Sequence, residues 1–307
     1  MLRHRFAVFV SFCTFLLVIA GSLVTSTGSG LAVPDWPLSF GKLMPKMEGG
    51  VLFEHGHRMI ATAVGLLTII LAVWTSRAED RRWVRNLGWV MLVAVVVQGL
   101  FGGLTVILKL PDAVSITHAG LAQIFFALTA IMATVTSPRW RREQAIDRSP
   151  DRLHGLARAA AAVIYLQIIL GAAVRHTGAA LLIPDFPLSL GRIVPPLGSW
   201  PIALNFSHRV GAALVAALAV ALALRARRAD GWLRRPALLL ASLVALQIAF
   251  GAMTVLTGKL LLPTTAHVAT GALIWVTSVV IATRSARAET GDDTEPAVQP
   301  MPRAIAA

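Results

Sequence analysis

Four histidines recur along this chain at a near-constant interval. His57 and His208 lie 151 residues apart, and His118 and His267 lie 149 apart. Each stands near the start of an apolar stretch. Two neutral imidazoles on facing helices are what a haem iron needs for axial ligation, because the porphyrin supplies the remaining donors. Bare zinc or copper is a poorer match, since neither cysteine nor carboxylate completes a first shell beside the pairs. The single cysteine, Cys13, sits inside an apolar run, which excludes an internal disulfide and a cysteine-based cluster. His55 aligns with Phe206 and His176 with Ser26, so neither belongs to the repeated set and their roles stay open.

The neighbours of these histidines sharpen the chemistry. Arg58 and Arg209 directly follow the first histidine of each pair. A guanidinium offers a bidentate fork to a haem propionate; it also anchors a helix end among headgroups, and both readings are open. Gln98 and Gln247, each with a glycine four residues on, suit helix packing and interhelical hydrogen bonds. The two halves then diverge. Glu54 stands three residues before His57, whereas Asn205 stands three before His208. At that spacing the Glu54 carboxylate and the His57 imidazole share a helix face. A carboxylate beside a bound ring can move protons or stabilise developing positive charge, and an amide can only orient. The alternative is that Glu54 favours the positive end of its helix, worth about 0.3–1 kcal/mol.

The elements that must position these residues are membrane helices. Hydrophobic residues make up 56% of the 307, charged residues 14%, and the mean hydropathy is +0.71. Runs long enough to span a bilayer lie at about 6–25, 57–76, 87–108, 113–136, 157–175, 204–224, 236–257 and 264–283. The first is too long for a signal-peptide core and reads as a retained helix. The net charge of +13 could suggest nucleic acid, but its placement argues otherwise. Twenty of the 28 Lys and Arg fall on the side of the termini and the even-numbered loops, eight on the other. Positive charge stays cytoplasmic, so both termini are expected inside and nucleic acid is not a partner.

Gly21–Pro45 and Gly171–Pro195 match at twelve of 25 positions. With the histidines in register, this predicts an all-α integral membrane protein of eight helices in two homologous four-helix bundles. The expected organisation is an N-terminal bundle over 1–140, a cytoplasmic linker over 141–156, a C-terminal bundle over 157–284 and a disordered cytoplasmic tail over 285–307.

With these motifs in place, the chain resembles the haem A synthase family. The residues that carry the likeness are Thr27-Gly28-Ser29-Gly30 through Pro34-Asp35-Trp36-Pro37, Glu54-His55-Gly56-His57-Arg58, His118, Ser207-His208-Arg209 and His267. The resemblance implies that haem O is the substrate and that its C8 methyl is oxidised to a formyl group by successive hydroxylation. It implies that His57 and His118 hold the substrate haem, that His208 and His267 hold a haem b cofactor, and that Glu54 is the catalytic acid. Leu31–Lys46 lacks the cysteine pair of some members, so the chain is similar to the cysteine-free branch. Without an Arg/Ser-rich presequence, a bacterial inner membrane is the expected home. Haem O synthase and an electron acceptor are the protein partners this implies. A different class, a non-enzymatic di-haem electron-transfer protein, would use the same histidine pairs with Glu54 only tuning potential.

Overall fold

In hydrocarbon every backbone N–H and C=O must be satisfied within the protein, so long apolar runs resolve as helices. In the computed structural model, which describes residues 1–142 and 153–290, eight helices are long and apolar enough to cross a membrane. They are α1 (Leu2–Ser26), α2 (Gly50–Ala78), α3 (Arg82–Ile107), α4 (Asp112–Val135), α6 (Leu153–His176), α7 (Trp200–Ala226), α8 (Gly231–Leu256) and α9 (Leu261–Thr290), with a short α5 over Pro138–Arg142. The chain is therefore a multi-pass membrane protein. Most of the expected linker and the tail from residue 291 lie outside the described residues.

Two boundaries differ most from the hydropathy reading. Helix α2 begins at Gly50, a full turn before Glu54, because the polar side chains that depress hydropathy there are engaged by the preceding loop. Val33 N–H donates to Glu54 Oε2 at 2.8 Å, and Ser39 Oγ shares a hydrogen bond with His55 Nδ1, also at 2.8 Å. Helix α9 continues to Thr290, past the expected 284. Arg284 supports this extension by donating to the Trp232 carbonyl at 2.8 Å while its guanidinium lies over the Trp232 ring.

Helix ends repeat between the halves. Gly28 follows α1 and Gly178 follows α6 in the left-handed conformation that stops a helix (φ +67° and +75°). Several threonines inside the helices return their hydroxyls to the carbonyl one turn back, as Thr68 does to Val64 at 2.7 Å, which satisfies those donors within the helix.

Buried apolar side chains form two clusters. One gathers Ala7, Val10, Val64, Leu71, Val84, Met91 and Phe125 from the first four helices, joined by Trp140 and Trp232. The other gathers Ile164, Val215, Leu222, Leu240, Ile274 and Ile281 from the last four, with Ala127 of α4. Between them, α4 packs on α6 and α9, and α1 packs on α9. Trp275 crosses this seam by donating its indole N–H to the Gln123 carbonyl at 2.8 Å.

The end bearing the N-terminus is pinned by one acid. Glu79, just past α2, is 4% exposed and accepts from Arg3, from Arg81 Nε at 2.9 Å and from Arg141 at 2.7 Å. These arginines come from α1, the start of α3 and α5. Burial pushes the Glu79 carboxyl up, but the hydrogen bonds from Arg81 and Arg141 outweigh it and hold it down to about 2. A depressed carboxylate stabilises the fold above its unfolded value near 4.5, and that contribution fades as pH falls toward 2. Glu79→Ala should therefore cost up to about 3 kcal/mol at neutral pH, because the mostly enclosed Arg3 loses its partner and the more exposed Arg81 and Arg141 lose a shared one. In thermal unfolding of detergent-solubilised protein, the gap between parent and variant should close as pH falls from 4.5 toward 2. A gap independent of pH would assign the loss to packing.

Candidate functional site

Each repeated histidine rests its ring edge on a glycine of the preceding helix. A Cβ built at Gly21 would lie 3.1 Å from His57 Cε1, at Gly102 3.1 Å from His118 Cε1, at Gly171 2.8 Å from His208 Cε1 and at Gly251 3.0 Å from His267 Cε1. Any side chain there would displace the ring. The helices of each pair thus approach closely at the histidine, as small residues allow in membrane packing.

Glutamines fix the rings from the same helices. Gln247 Nε2 lies 3.3 Å from His267 Nε2, while His267 Nδ1 donates to the Gln247 carbonyl at 3.1 Å. With its proton on Nδ1, His267 accepts from the Gln247 amide at Nε2, the nitrogen whose lone pair a metal would take in its place. Gln98 takes the matching place, 3.4 Å from His118 Nε2 and donating to the His118 carbonyl at 3.1 Å. Gln167 of α6 lies 3.0 Å from His208 Nδ1 and donates to the His208 carbonyl at 2.7 Å. Its counterpart in the first half is Leu17, so the glutamine set is asymmetric.

The His208 and His267 rings are neighbours, with centroids 6.5 Å apart and planes steeply inclined at 73°. A metal–imidazole bond of about 2 Å, with the ring centre roughly 1 Å further back, separates two rings on one metal by about 6 Å. That matches the observed spacing. In the other half, Nδ1 of both His57 and His118 is buried without a hydrogen-bond partner, and so are the Oε1 atoms of Gln98 and Gln247. Orphaned polar atoms of this kind at both ring pairs are consistent with a bound group that reorients the side chains. Among the described residues no three or more His, Cys, Asp or Glu converge on a point where a metal ion could sit. A metal that brings its own equatorial donors fits these pairs; a bare ion does not.

Above the histidines, two matching loops are clasped by the arginines. Arg58 donates to the carbonyls of Asp35 (2.8 Å) and Leu38 (3.0 Å), and Arg209 to those of Asp185 (2.8 Å) and Leu188 (2.8 Å). Asp35 in turn accepts from Phe40 and Gly41 N–H at 2.7 and 2.8 Å, and Asp185 from Leu190 and Gly191, both at 2.7 Å. The N–H groups of Gly41 and then Phe40 hold the Asp35 carboxyl below the usual carboxylate range; Gly191 and Leu190 do the same for Asp185. Each aspartate holds a non-glycine residue in the left-handed region, Phe40 at φ +54° and Leu190 at φ +55°. Arg58 and Arg209 are thus fastened to the loops, and the structure shows no free fork on either for a propionate.

Glu54 joins this clasp. It is 4% exposed, and its Oε1 pairs with Arg58 at 2.6 Å. It stands in the second turn of α2, beyond the reach of a helix-end dipole effect, which fades within the first turn. Asn205 occupies the equivalent place with inverted polarity, donating to the carbonyls of Ala179 (2.8 Å) and Ala180 (3.1 Å) and accepting from Arg209 Nε at 3.3 Å. His55 is tied to the loop through Ser39 and is not part of a ring pair. The sequence marks Gly102 and Gly251 for helix packing but not as seats for the rings, and it does not mark Gly21, Gly171 or Gln167 for either role. The glycines were detectable, because Gly21/Gly171 and Gly102/Gly251 are repeat identities; Gln167 breaks the repeat and gave no such signal.

Fold and site together define a polytopic helical membrane protein built on a repeat, with one histidine pair per half seated on glycines. The family whose model matches residues 4–52 and 49–279 is the COX15-CtaA cytochrome oxidase assembly protein family, and the chain belongs to it. It is 34% identical over 254 residues to a heme A synthase of Symbiobacterium thermophilum, covering 78% of this chain and 80% of that one. It is 30% identical over 278 residues to a heme A synthase of Halalkalibacterium halodurans, covering 89% and 93%. A heme A synthase of Shouchella clausii is 31% identical over 225 residues, covering 71% and 74%.

The glycine seats generate a direct test. Gly171→Ala should lose about 1–3 kcal/mol by overpacking against His208. Gly65→Ala, where a Cβ meets nothing within 4 Å, should be neutral or gain up to about 1 kcal/mol in helix propensity. Thermal unfolding of the two variants side by side checks this; equal behaviour would remove the seat.

Proposed function

We propose that this chain is a haem A synthase, an oxidoreductase that converts the C8 methyl of haem O to a formyl group by successive hydroxylation. The observation that carries this reading is the duplicated histidine pair with an acid in one copy only. Two equivalent electron-transfer sites would have no need of that asymmetry. His57 and His118 hold the iron of the substrate haem, and His208 and His267 hold a haem b cofactor. When bound, haem b supplies one-electron redox chemistry. Gly171 and Gly251 set how closely the imidazoles approach the cofactor, and the Gln247 carbonyl holds the His267 proton on Nδ1, away from the coordinating nitrogen.

Glu54 acts on the substrate side. The Val33 N–H and the Arg58 guanidinium each hold one of its oxygens, three residues before His57 on the same helix. As a carboxylate it would accept a proton or stabilise positive charge at the edge of the substrate ring. Trp36 closes the same half from above, its ring packed over Gly103. The distribution of Lys and Arg supports a bacterial inner-membrane protein with both termini cytoplasmic and both clasped loops outside. Haem O synthase as donor and a membrane electron acceptor are the partners this reaction requires.

Extracting pigments from a strain that lacks the gene tests the reaction itself. Haem O without haem A is expected, and normal haem A would overturn the assignment. For the cofactor site, His208→Ala or His267→Ala should strip the resident haem b and abolish the low-spin bis-imidazole spectrum; a full complement of haem b in both variants would exclude these ligands.

Glu54→Gln separates catalysis from loop anchoring. The amide can still accept from Val33, and Arg58 keeps its loop carbonyls, so folding and haem b content should stay near the parent. Haem A formed per folded enzyme should drop by roughly a hundredfold or more, with haem O or a hydroxylated intermediate accumulating. Turnover at the parent rate would make Glu54 a clasp residue only.

A further inference from the structure

Arg175, a basic side chain inside a membrane helix, has no part in the chemistry above. It lies in the last turn of α6, within a membrane-spanning helix, and is largely enclosed. Its guanidinium reaches across the seam between the halves to α1, donating to Ser26 Oγ at 2.7 Å, to the Ser22 carbonyl at 3.0 Å and to Ser22 Oγ at 3.4 Å. Every one of these partners is neutral. The ion pairs among the described residues engage Glu79, Glu54, Glu48 and Asp230, and none engages Arg175. An arginine inside a membrane helix without an anion is costly, and neutral oxygens offset only part of that cost.

Its position identifies the missing anion. Arg175 lies one helical turn, about 6 Å, beyond Gly171 on the same face, and Gly171 is the seat of the His208 ring. Ser22, which it touches, directly follows Gly21, the seat of the His57 ring. Arg175 therefore stands at the junction of the two ring sites. The arginines next to the histidines, Arg58 and Arg209, are fastened to loop carbonyls and cannot take this role without opening the clasp. Nor is it a duplicated feature, because the residue matching Arg175 in the first half is Thr25.

We infer that Arg175 is the cationic partner of a haem carboxylate, binding a propionate of the haem held between His208 and His267. The planar fork suits a carboxylate, and the three neutral contacts hold the guanidinium at the seam to receive it. The inference rests on the assignment of a haem to that pair, and the two fail separately. If His208→Ala keeps its haem, the assignment fails. If His208→Ala loses haem while Arg175 variants are indifferent, only the present inference fails.

The test is redox titration of purified, haem-loaded Arg175→Gln and Arg175→Lys beside the parent. Removing the cation should favour the ferric form of the resident haem by about tenfold or more, a fall of about 59 mV in midpoint for a one-electron couple. Lysine keeps the charge and should restore most of the potential. A merely structural role for the three-bond bridge to α1 forecasts the reverse, with lysine failing as glutamine does. A parent-like midpoint with full haem in Arg175→Gln overturns the inference. If Arg175→Gln does not fold, infrared redox-difference spectra of parent and Arg175→Lys, loaded with haem labelled with carbon-13 at its propionate carboxyls, decide. The labelled carboxylate band should move when the fork becomes a point charge, and an unmoved band overturns the inference equally.

Discussion

Each of the four imidazoles leans its ring edge on a glycine of the helix before it, and that contact governs how closely the helices of each pair can run. A neutral imidazole is awkward in a bilayer: too polar for lipid, too bulky for a tight helix crossing. Gly21, Gly102, Gly171 and Gly251 resolve both problems by letting the ring occupy the volume that a side chain would fill. With the ring edge fixed, glutamines engage the ring nitrogens of His118, His208 and His267, and His57 has none. The result is a pair of rings at ligating separation held by helix backbones, which are more rigid supports than loops.

On this shared frame the two halves carry different polar groups. Glu54 faces Asn205, Leu17 faces Gln167, and Thr25 faces Arg175. The first half gains an acid at the outer edge of its ring pair. The second gains an amide beside His208 and a cation at the seam. A duplicated frame with divergent polar groups fits one site that reacts and one that holds its occupant. Fixed dipoles and charges in a low-dielectric interior act strongly, so these three replacements give the two ring pairs different electrostatic surroundings.

Much of this was legible in the sequence, because the dominant constraint is the bilayer. Eight spans, the repeat and the histidine register follow from hydropathy and spacing, and the structure has all eight helices. Positions where a tertiary contact overrides local hydropathy were harder. Helix α2 starts earlier than hydropathy places it, because Glu54 and His55 depress the hydropathy of a segment that the loop stabilises. Arg58 and Arg209 were legible as cations near a ring site. That their donors would be consumed by the carbonyls of Asp35, Leu38, Asp185 and Leu188 depends on how the loop folds back over the helix. Arg175 drew no attention, since a basic residue at a helix end normally reads as an interfacial anchor. Only the packing of α6 across the seam toward α1 makes it an interior charge.

The clasped loops explain how one frame tolerates such different chemistry beneath it. Asp35 and Asp185 hold their turns through the same pair of backbone N–H groups, and Arg58 and Arg209 grip the same pair of carbonyl positions. What changes is the sign of the contact one turn below the arginine. Glu54 accepts a backbone N–H from Val33, whereas Asn205 donates to the carbonyls of Ala179 and Ala180. An acid at 205 would meet those carbonyls as acceptor against acceptor, an arrangement that leaves buried oxygens unpaired. An amide at 54 loses only an ion pair. The route between the two states is therefore one-directional: the first half can shed its acid and keep its loop, but the second cannot acquire one without rebuilding the turn at 179–181. The loop backbone, not the helix, thus restricts the acid to the half that holds His57.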